Sequence, residues 1–327
     1  MQVPHPKELF EQLRQQNRAA LARAITLVES RAPKHQEAAA ELLALAMPYS
    51  GNTLRIGITG VPGVGKSTFI DTFGSLLTAE GKRVAVLAVD PSSARTGGSI
   101  LGDKTRMERL SQDEAAFIRP SAAGDTLGGV ARASWEAMIL CEAAGYEIIL
   151  IETVGVGQSE TSVAALVDFF MLLMLAGAGD ELQGIKRGIM EMADLLVINK
   201  AEGDNLQHAR RAAAEYRNAL HLFPAHPGGW TPEVLLASAL QQEGIAEVWQ
   251  TIGRYVDLTR PNGYFEQRRR EQAVLQFNEH IQYQLELVRS SKPELESFYH
   301  QLELDVASSR CNPYEAARLF TQRLFAS

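Results

Sequence analysis

The sequence predicts an α/β fold in which a mostly parallel sheet carries helices on both faces. Between about residues 51 and 260, short apolar runs of strand length alternate with segments of helical character. These runs lack the polar alternation of a half-exposed strand, which is typical of parallel strands buried on both faces. The runs are Leu54–Thr59, Val84–Val89, Tyr146–Ile151, Phe169–Leu175, Leu195–Ile198 and Val234–Ala237.

A glycine-rich loop follows the first run and opens into a predicted helix, Thr68–Leu77. The loop is Gly60-Val61-Pro62-Gly63-Val64-Gly65-Lys66-Ser67, a complete G-x-x-x-x-G-K-[ST] pattern in a strand–loop–helix context. Its glycines let backbone N–H groups turn toward phosphate oxygens, and the helix N-terminus adds partial positive charge. The pattern therefore predicts a P-loop NTPase in which Lys66, a catalytic candidate, contacts the outer phosphates.

Two later motifs favour guanine as the base. Asn199-Lys200-Ala201-Glu202 follows the run Leu195–Ile198, at the place where GTPases carry Asn-Lys-x-Asp, and Ser238-Ala239 follows the run Val234–Ala237. An acidic side chain after Asn-Lys can accept hydrogen bonds from two guanine donors that adenine does not present together. GTP is therefore the predicted substrate and GDP the product. The predicted nucleotide-binding residues are Gly60, Val61, Pro62, Gly63, Val64, Gly65, Lys66, Ser67, Thr68, Asn199, Lys200, Glu202, Ser238, Ala239 and Leu240.

Acidic residues at strand ends, together with a loop hydroxyl, predict a Mg²⁺ site. Asp90 follows the run Val84–Val89, and Glu152 follows the run Tyr146–Ile151, at the sheet edge where ligands bind in open α/β folds. Mg²⁺ prefers oxygen ligands and keeps several waters. The predicted ligands are Ser67, Asp90, Asp103 and Glu152.

Hydrolysis by in-line attack of water is the expected reaction, because phosphoryl transfer needs positioning and charge neutralisation more than covalent chemistry. Gln158 is a candidate for orienting the water, although it follows Gly155 by three positions rather than one. No arginine finger can be assigned from the sequence. Turnover is therefore expected to be slow and stimulated by a partner.

Three longer segments have unusually specific sequences: Asp90–Met107, Glu152–Glu160 and Gly177–Gly188. With them the chain resembles the methylmalonyl-CoA mutase-associated GTPases of the MeaB/ArgK type, in the SIMIBI class of P-loop GTPases. The resemblance extends from about Ala38 to the C-terminus, with Glu202 as a departure from the usual Asp. It implies a homodimeric G-protein chaperone that gates cofactor loading and protects an adenosylcobalamin-dependent acyl-CoA mutase. It also implies three switch segments that respond to the nucleotide, with the catalytic candidate Lys186 in the third. The predicted switch segments are Asp90–Met107, Glu152–Val163 and Gly177–Gly188.

Composition limits the remaining partners and the compartment. The net charge of −7 disfavours nucleic acid, because duplex binding needs a basic footprint. The apolar stretch Ala164–Gly179 contains Asp168 and is shorter than a membrane span, so no membrane partner is expected. Two cysteines without metal-ligand spacing, Cys141 and Cys311, favour a reducing compartment, and with no signal-like N-terminal core the expected location is the cytoplasm.

The predicted domains are an N-terminal helical segment (1–50), a P-loop GTPase domain (51–260) and a C-terminal helical dimerisation arm (261–327). Two helices are expected in the first segment. Apolar residues from Val274 to Val288 recur at helical spacing and predict a long helix with one apolar stripe. The cluster Arg268-Arg269-Arg270 is interpreted as a solvated helix face, and the Pro/Gly-rich stretch Phe223–Pro232 as a lengthened surface loop.

Three alternative functions remain open on the sequence. A metal- or cofactor-delivery GTPase for another metalloenzyme has the same fold, although the scattered histidines form no ligand-spaced pattern. A transport-associated ATPase would not need Asn199-Lys200, and it would often place a lysine where Val61 stands. A small-molecule kinase would need an acceptor pocket and a lid motif, and turnover of GTP without an acceptor would exclude it.

Overall fold

The structure, a computed structural model, describes residues 5–30, 32–90, 107–122, 127–153, 159–177 and 187–326. The chain divides into two compact units, Met1–Ala273 and Val274–Ser327. The first unit contains the N-terminal helices and the sheet, and the second is helical. The division into three functional parts at residues 50 and 260 stays a prediction.

The described residues contain a seven-stranded sheet in which every neighbouring pair of strands is parallel, so the predicted fold class is confirmed. The strand order is β3-β2-β4-β1-β5-β6-β7. The strands are β1 (Leu54–Gly60), β2 (Val84–Asp90), β3 (Ala116–Ala122), β4 (Ile148–Thr153), β5 (Phe169–Leu175), β6 (Leu195–Asn199) and β7 (Glu233–Leu236).

The helices of the first unit precede the sheet or connect its strands. They are α1 (Pro6–Arg14), α2 (Arg18–Glu29), α3 (Pro33–Ala46), α4 (Lys66–Ala79), α5 (Glu108–Gln112), α6 (Leu127–Ala143), α7 (Ser159–Ala164), α8 (Arg187–Met192), α9 (Leu206–Leu220) and α10 (Ile245–Thr259). The helix α11 (Tyr264–Ser291) begins in the first unit, and α12 (Pro293–Ala307) and α13 (Pro313–Ala326) follow it in the second.

Helices cover both faces of the sheet. Alternate residues of each strand point to opposite sides, so each strand contributes to two cores. In β4, Ile149 and Ile151 belong to a core that includes residues of α2 and α6, whereas Ile148 and Leu150 belong to a second core with residues of α4 and α10. The strands are therefore buried on both sides, as their continuous apolar runs predict.

The expectation of two N-terminal helices is wrong, since the structure has three. The chain turns between α1 and α2, where Gln16 adopts a left-handed conformation (φ 65°) and the Asn17 side chain accepts a hydrogen bond from the Ala20 N–H at 3.0 Å. Asparagine in this position is a favourable helix cap. Leu13 and Leu21 on either side of the turn enter the same core, so the apolar spacing alone conceals the break.

The interpretation of Arg268-Arg269-Arg270 as a solvated face is wrong for two of its three residues. Arg268 Nη1 lies 3.2 Å from Asp194 Oδ2, and Arg269 Nη2 lies 2.7 Å from Asp168 Oδ2. Both aspartates are 1% exposed and directly precede β6 and β5. These ion pairs hold the start of α11 at the amino ends of the strands.

The stretch Phe223–Pro232 does more than lengthen the surface. Trp230 is buried in the second core, and its Nε1–H donates to the Asp194 carbonyl at 2.8 Å. His226 Nε2 lies 3.3 Å from Asp194 Oδ1, and its ring packs edge-on against Tyr255 and Tyr264. This stretch therefore closes the amino end of the sheet around Asp194.

In the second unit, the apolar stripe of α11 is largely exposed. Leu295 and Leu302 of α12 are buried, and Tyr299 packs edge-on against Phe320 of α13 at 5.4 Å. The stripe residues are between 40% and 64% exposed: Val274, Phe277, Ile281, Leu285 and Val288. None of the helices described here combines the length and apolar character needed to cross a bilayer.

Candidate nucleotide-binding site

The predicted nucleotide motifs meet at the carboxyl edge of the sheet. The phosphate loop follows β1, Glu152 and Thr153 end β4, Asn199 ends β6, and Ser238-Ala239 follows β7. The strand order β4-β1-β5-β6-β7 places the phosphate loop between the Glu152 end and the base motifs. In open α/β sheets, ligands bind outside the carboxyl ends of the strands, in the crevice that forms where the strand order reverses.

The glycines of the phosphate loop are required by backbone conformation and by close packing. Gly63 and Gly65 have φ values of 79° and 90°, in the left-handed region that favours glycine. At Gly60 a side chain would collide with the carbonyl oxygen of Leu173 in β5, and at Gly65 it would lie 3.1 Å from Asn199 Nδ2. The loop can therefore turn tightly and lead directly into α4, which begins at Lys66.

Lys66 is buried beneath the loop, with 9% of its surface exposed. Its Nζ donates to the Gly60 carbonyl at 2.8 Å and to the Val61 carbonyl at 3.4 Å. Burial lowers the pKa of Lys66, and the charges of Glu152 and Glu160 act in the opposite direction. The ammonium group is thus fixed at the first turn of α4, where a phosphate-binding loop needs a cation.

Ser67 and Glu152 place two oxygen groups of the kind that Mg²⁺ prefers next to each other. The Ser67 hydroxyl donates to Glu152 Oε1 at 3.2 Å, and Glu152 is largely buried. A buried hydrogen bond of 2.7 Å between Thr153 and Thr59 fixes the end of β4 against β1. The described residues contain no cluster of three or more His, Cys, Asp or Glu that could hold a metal. A Mg²⁺ site beside a nucleotide needs only one or two protein ligands, because phosphate oxygens and waters complete the coordination.

Asn199 connects the phosphate loop to the Ser-Ala loop. Its Nδ2–H donates to the Val64 carbonyl at 2.8 Å, and its Oδ1 accepts from the Ala239 N–H at 3.3 Å. The residue is 1% exposed. The amide therefore fixes the distance between the phosphate-binding and base-binding elements.

Lys200 extends over the phosphate loop. It adopts a left-handed conformation (φ 57°), and its Nζ donates to the Gly63 carbonyl at 2.8 Å. Asn205 Nδ2 donates to the Lys200 carbonyl at 2.7 Å and supports this turn. The lysine side chain is consequently held against the phosphate loop, and its packing on a nucleobase stays a prediction.

Glu202 carries an unsatisfied acceptor. Within the described part of the chain, its Oε2 is buried and has no hydrogen-bond partner. A buried carboxylate oxygen without a donor is costly, so a ligand that brings N–H groups would be favoured there. Guanine brings two such donors on one edge, so this residue fits a guanine nucleotide.

The Ser-Ala loop has a fixed backbone. Ser238 and Glu243 exchange two backbone hydrogen bonds of 3.0 and 3.1 Å, and the Ser238 hydroxyl accepts from the Gln241 N–H at 3.0 Å. Ser238 and Ala239 are buried, whereas Leu240 is 75% exposed. The backbone around Ala239 is therefore held in one conformation, whereas the side chain of Leu240 faces solvent.

Several predicted site residues lie outside the description. Asp103, Gln158 and Lys186 fall outside the described residues, as do 91–106, 154–158 and 178–186 of the predicted switch segments. The backbone of Asp90 ends β2, but its side chain is not described. Their assigned roles stay predictions.

Sequence reasoning did not find the polar residues of α4. Asp71 and Thr72 are buried between Phe69, Ile70 and Phe73, and both contact Arg109 of α5. The signal was an Asp-Thr pair inside an otherwise apolar helix, since buried polar side chains need partners.

Comparison with known proteins identifies the family of the chain. The family model described as "Methylmalonyl Co-A mutase-associated GTPase MeaB" matches residues 21–294. "GTPase ArgK" of Escherichia coli (strain K12) is 48% identical over 315 residues, which are 96% of this chain and 95% of that protein.

Two further matches cover almost the whole chain. "Methylmalonic aciduria type A homolog, mitochondrial" of Mus musculus is 46% identical over 95% of this chain and 77% of its own length. The solved structure titled "Crystal structure of LAO/AO transport system kinase" is 41% identical, covers 99% of both chains and has a TM-score of 0.75. The chain therefore belongs to the methylmalonyl-CoA mutase-associated GTPase family MeaB and is itself a P-loop GTPase.

Proposed function

We propose that this GTPase is a G-protein chaperone of an adenosylcobalamin-dependent acyl-CoA mutase of the methylmalonyl-CoA mutase type. Its nucleotide state would gate cofactor loading and protect the mutase from inactivation. The observation that carries the proposal is the family match across residues 21–294, which includes every nucleotide element described above. A cytoplasmic location fits the two free cysteines, of which Cys141 is buried.

The proposed mechanism uses the fixed charges of the site. Lys66 and the N–H groups of the phosphate loop bind the phosphates, and Ser67 with Glu152 would hold Mg²⁺. A bound Mg²⁺ would supply charge neutralisation for the phosphates of the nucleotide. Asn199, Lys200 and Glu202 hold the base, and we assign Gln158 and Lys186 to the reacting end of the nucleotide.

The mutase partnership can be measured directly. Addition of an adenosylcobalamin-dependent acyl-CoA mutase is expected to raise the rate of GTP hydrolysis, because the described residues supply binding groups and no arginine finger is assigned among them. Steady-state phosphate release with and without the mutase would show this. The Lys66→Ala chain, mixed with the same mutase, controls for contaminating hydrolysis. An unchanged rate with methylmalonyl-CoA mutase would argue against the proposed partner.

Glu202 is expected to determine the preference for guanine. Glu202→Ala should weaken GTP binding strongly and ATP binding little, because each hydrogen bond to a charged acceptor contributes about 1.5–3 kcal/mol. Isothermal titration with both nucleotides would measure the ratio of the two affinities.

The matched control is Asp204→Ala, which removes an exposed carboxylate two residues away. Glu202→Asp should keep the guanine preference, since it retains the charge. Equal binding of GTP and ATP by the unmodified protein would show that the guanine assignment is wrong.

A homodimer built by the C-terminal helices is the further proposal on partners. The exposed stripe on α11 is a contiguous apolar surface, and such surfaces usually mark interfaces. Twofold dimers are the commonest oligomers. Phe277→Asp is therefore expected to convert a dimer into a monomer, as measured by light scattering at micromolar concentration.

The control for this substitution is Leu222→Asp, which introduces the same charge at another exposed leucine, outside the stripe. A truncated chain without the C-terminal helices offers a second test of the dimer, and it should end after Ala273 rather than Arg260. Residues 264–272 contain buried Phe265 and the arginines that pair with Asp168 and Asp194, so their loss would damage the first unit. A monomeric full-length protein would refute the dimer.

A further inference from the structure

The backbone of Ala239 in the Ser-Ala loop is held on both sides of its α-carbon. Its N–H donates to Asn199 Oδ1 at 3.3 Å, which ties it to the base motif. Its carbonyl accepts from the Thr72 hydroxyl at 2.9 Å, which ties it to α4, the helix that follows the phosphate loop. The two peptide groups that flank the Ala239 α-carbon are thus fixed by elements of the nucleotide site.

The Thr72 hydroxyl is itself oriented by a second contact. Arg109 Nη2 of α5 donates to Thr72 Oγ1 at 2.9 Å, so the oxygen accepts from the arginine and its hydrogen is directed at Ala239. Thr72 is 5% exposed, and a hydroxyl buried in this way needs both partners.

Arg109 is positioned by the carboxylate next to Thr72. Arg109 Nε donates to Asp71 Oδ2 at 3.2 Å, and Asp71 Oδ1 accepts from the Leu110 N–H at 2.9 Å. Leu110 packs against Gly74, where an added Cβ would lie 2.6 Å from Leu110 Cδ2. The side chain of Arg109 is nevertheless 48% exposed, so it can be changed without opening the core.

We propose that Thr72 and Arg109 are positioning residues for guanine recognition, with the Thr72 hydroxyl fixing the Ala239 carbonyl and Arg109 fixing that hydroxyl. The proposal rests on the guanine site described under the proposed function. It assigns to α4 a second role: its N-terminus binds phosphate, and its second turn positions the loop over the base.

The test compares GDP and ADP affinities of the full chain by displacement of a fluorescent GDP analogue. Thr72→Val removes the hydroxyl and keeps the shape of the side chain. It is expected to weaken GDP binding about fivefold, the value of one hydrogen bond, and to leave ADP binding unchanged. Thr72→Ser should restore the GDP affinity. Thr78→Val is the matched control, because within the described residues the Thr78 hydroxyl bonds only to the Ser75 carbonyl of the same helix.

Arg109→Ala should weaken GDP binding about twofold, because this side chain is half exposed. In the Thr72→Val background it should add nothing, since it acts through the hydroxyl. Circular dichroism of each variant checks the fold, and Arg109→Ala tests the contact even if Thr72→Val is unstable.

The results separate the possible failures. A Thr72→Val protein with the same GDP-to-ADP affinity ratio as the unmodified protein would overturn the role of Thr72, as would equal losses for both nucleotides. If Arg109→Ala lowered GDP affinity by the same twofold in the Thr72→Val background, Arg109 would not act through the Thr72 hydroxyl. If the unmodified protein binds GDP and ADP equally, the guanine site fails and the inference fails with it.

Discussion

Replacement of Lys66 by alanine is expected to abolish tight binding of GDP and GTP while the fold stays intact. The ammonium group lies at the first turn of α4, held by the Gly60 and Val61 carbonyls, and it would contact the outer phosphates. Two hydrogen bonds to a charged ligand contribute about 3–6 kcal/mol, so the affinity should fall at least about a hundredfold.

Calorimetric titration with GDP and GTP measures this loss, and circular dichroism monitors the fold. Lys82→Ala is the matched control, because Lys82 is an exposed lysine whose only described ion pair is with Glu147. A Lys66→Ala chain that binds GDP like the unmodified protein would remove the basis for the phosphate-loop assignment.

The second large effect is expected at the amino end of the sheet. Asp194→Ala should lower the free energy of unfolding by about 3–5 kcal/mol, because it leaves a buried guanidinium without its counter-charge. Asp194 Oδ2 also accepts from the Phe170 N–H at 2.8 Å, so a backbone donor in β5 would lose its partner. Burial alone lowers the pKa of Arg268, but Asp194, Tyr255 and Tyr264 together raise it above its usual range.

Urea unfolding followed by circular dichroism would measure the change. The control is Arg254→Ala, which removes an ion pair with Glu233 whose partners are 50% and 37% exposed, and it should cost less than about 1 kcal/mol. Similar small losses in both variants would show that the buried pair does not hold α11 to the sheet.

The arrangement of the phosphate loop and the base motifs could be predicted from sequence because its determinants are local, whereas the roles of the individual site residues stay predictions. The phosphate loop needs glycines at fixed offsets, and Gly63 and Gly65 have the positive φ values that explain those offsets. The base motifs follow directly on apolar runs that became β6 and β7. Since all strands of a parallel sheet end at one edge, motifs that directly follow the strands meet at that edge.

The sequence missed β3 for a physical reason. The segment Ala116–Ala122 contains Arg119, Pro120 and Ser121, which interrupt the apolar run. Proline is tolerated in an edge strand, where one side needs no hydrogen-bonded partner, and β3 is at the edge of the sheet. This edge strand therefore lacks the continuous apolar run by which the other strands could be predicted.

The sequence by itself determined the fold class, the phosphate loop and the guanine motifs, because apolar periodicity and glycine spacing are properties of consecutive residues. Only the tertiary structure decided which distant groups pair. Arg268 and Asp194 are 74 residues apart, and Thr72 and Ala239 are 167 apart. Nothing in the local pattern distinguishes a paired arginine or threonine from a solvated one, because the partner is set by how the strands are ordered in the sheet.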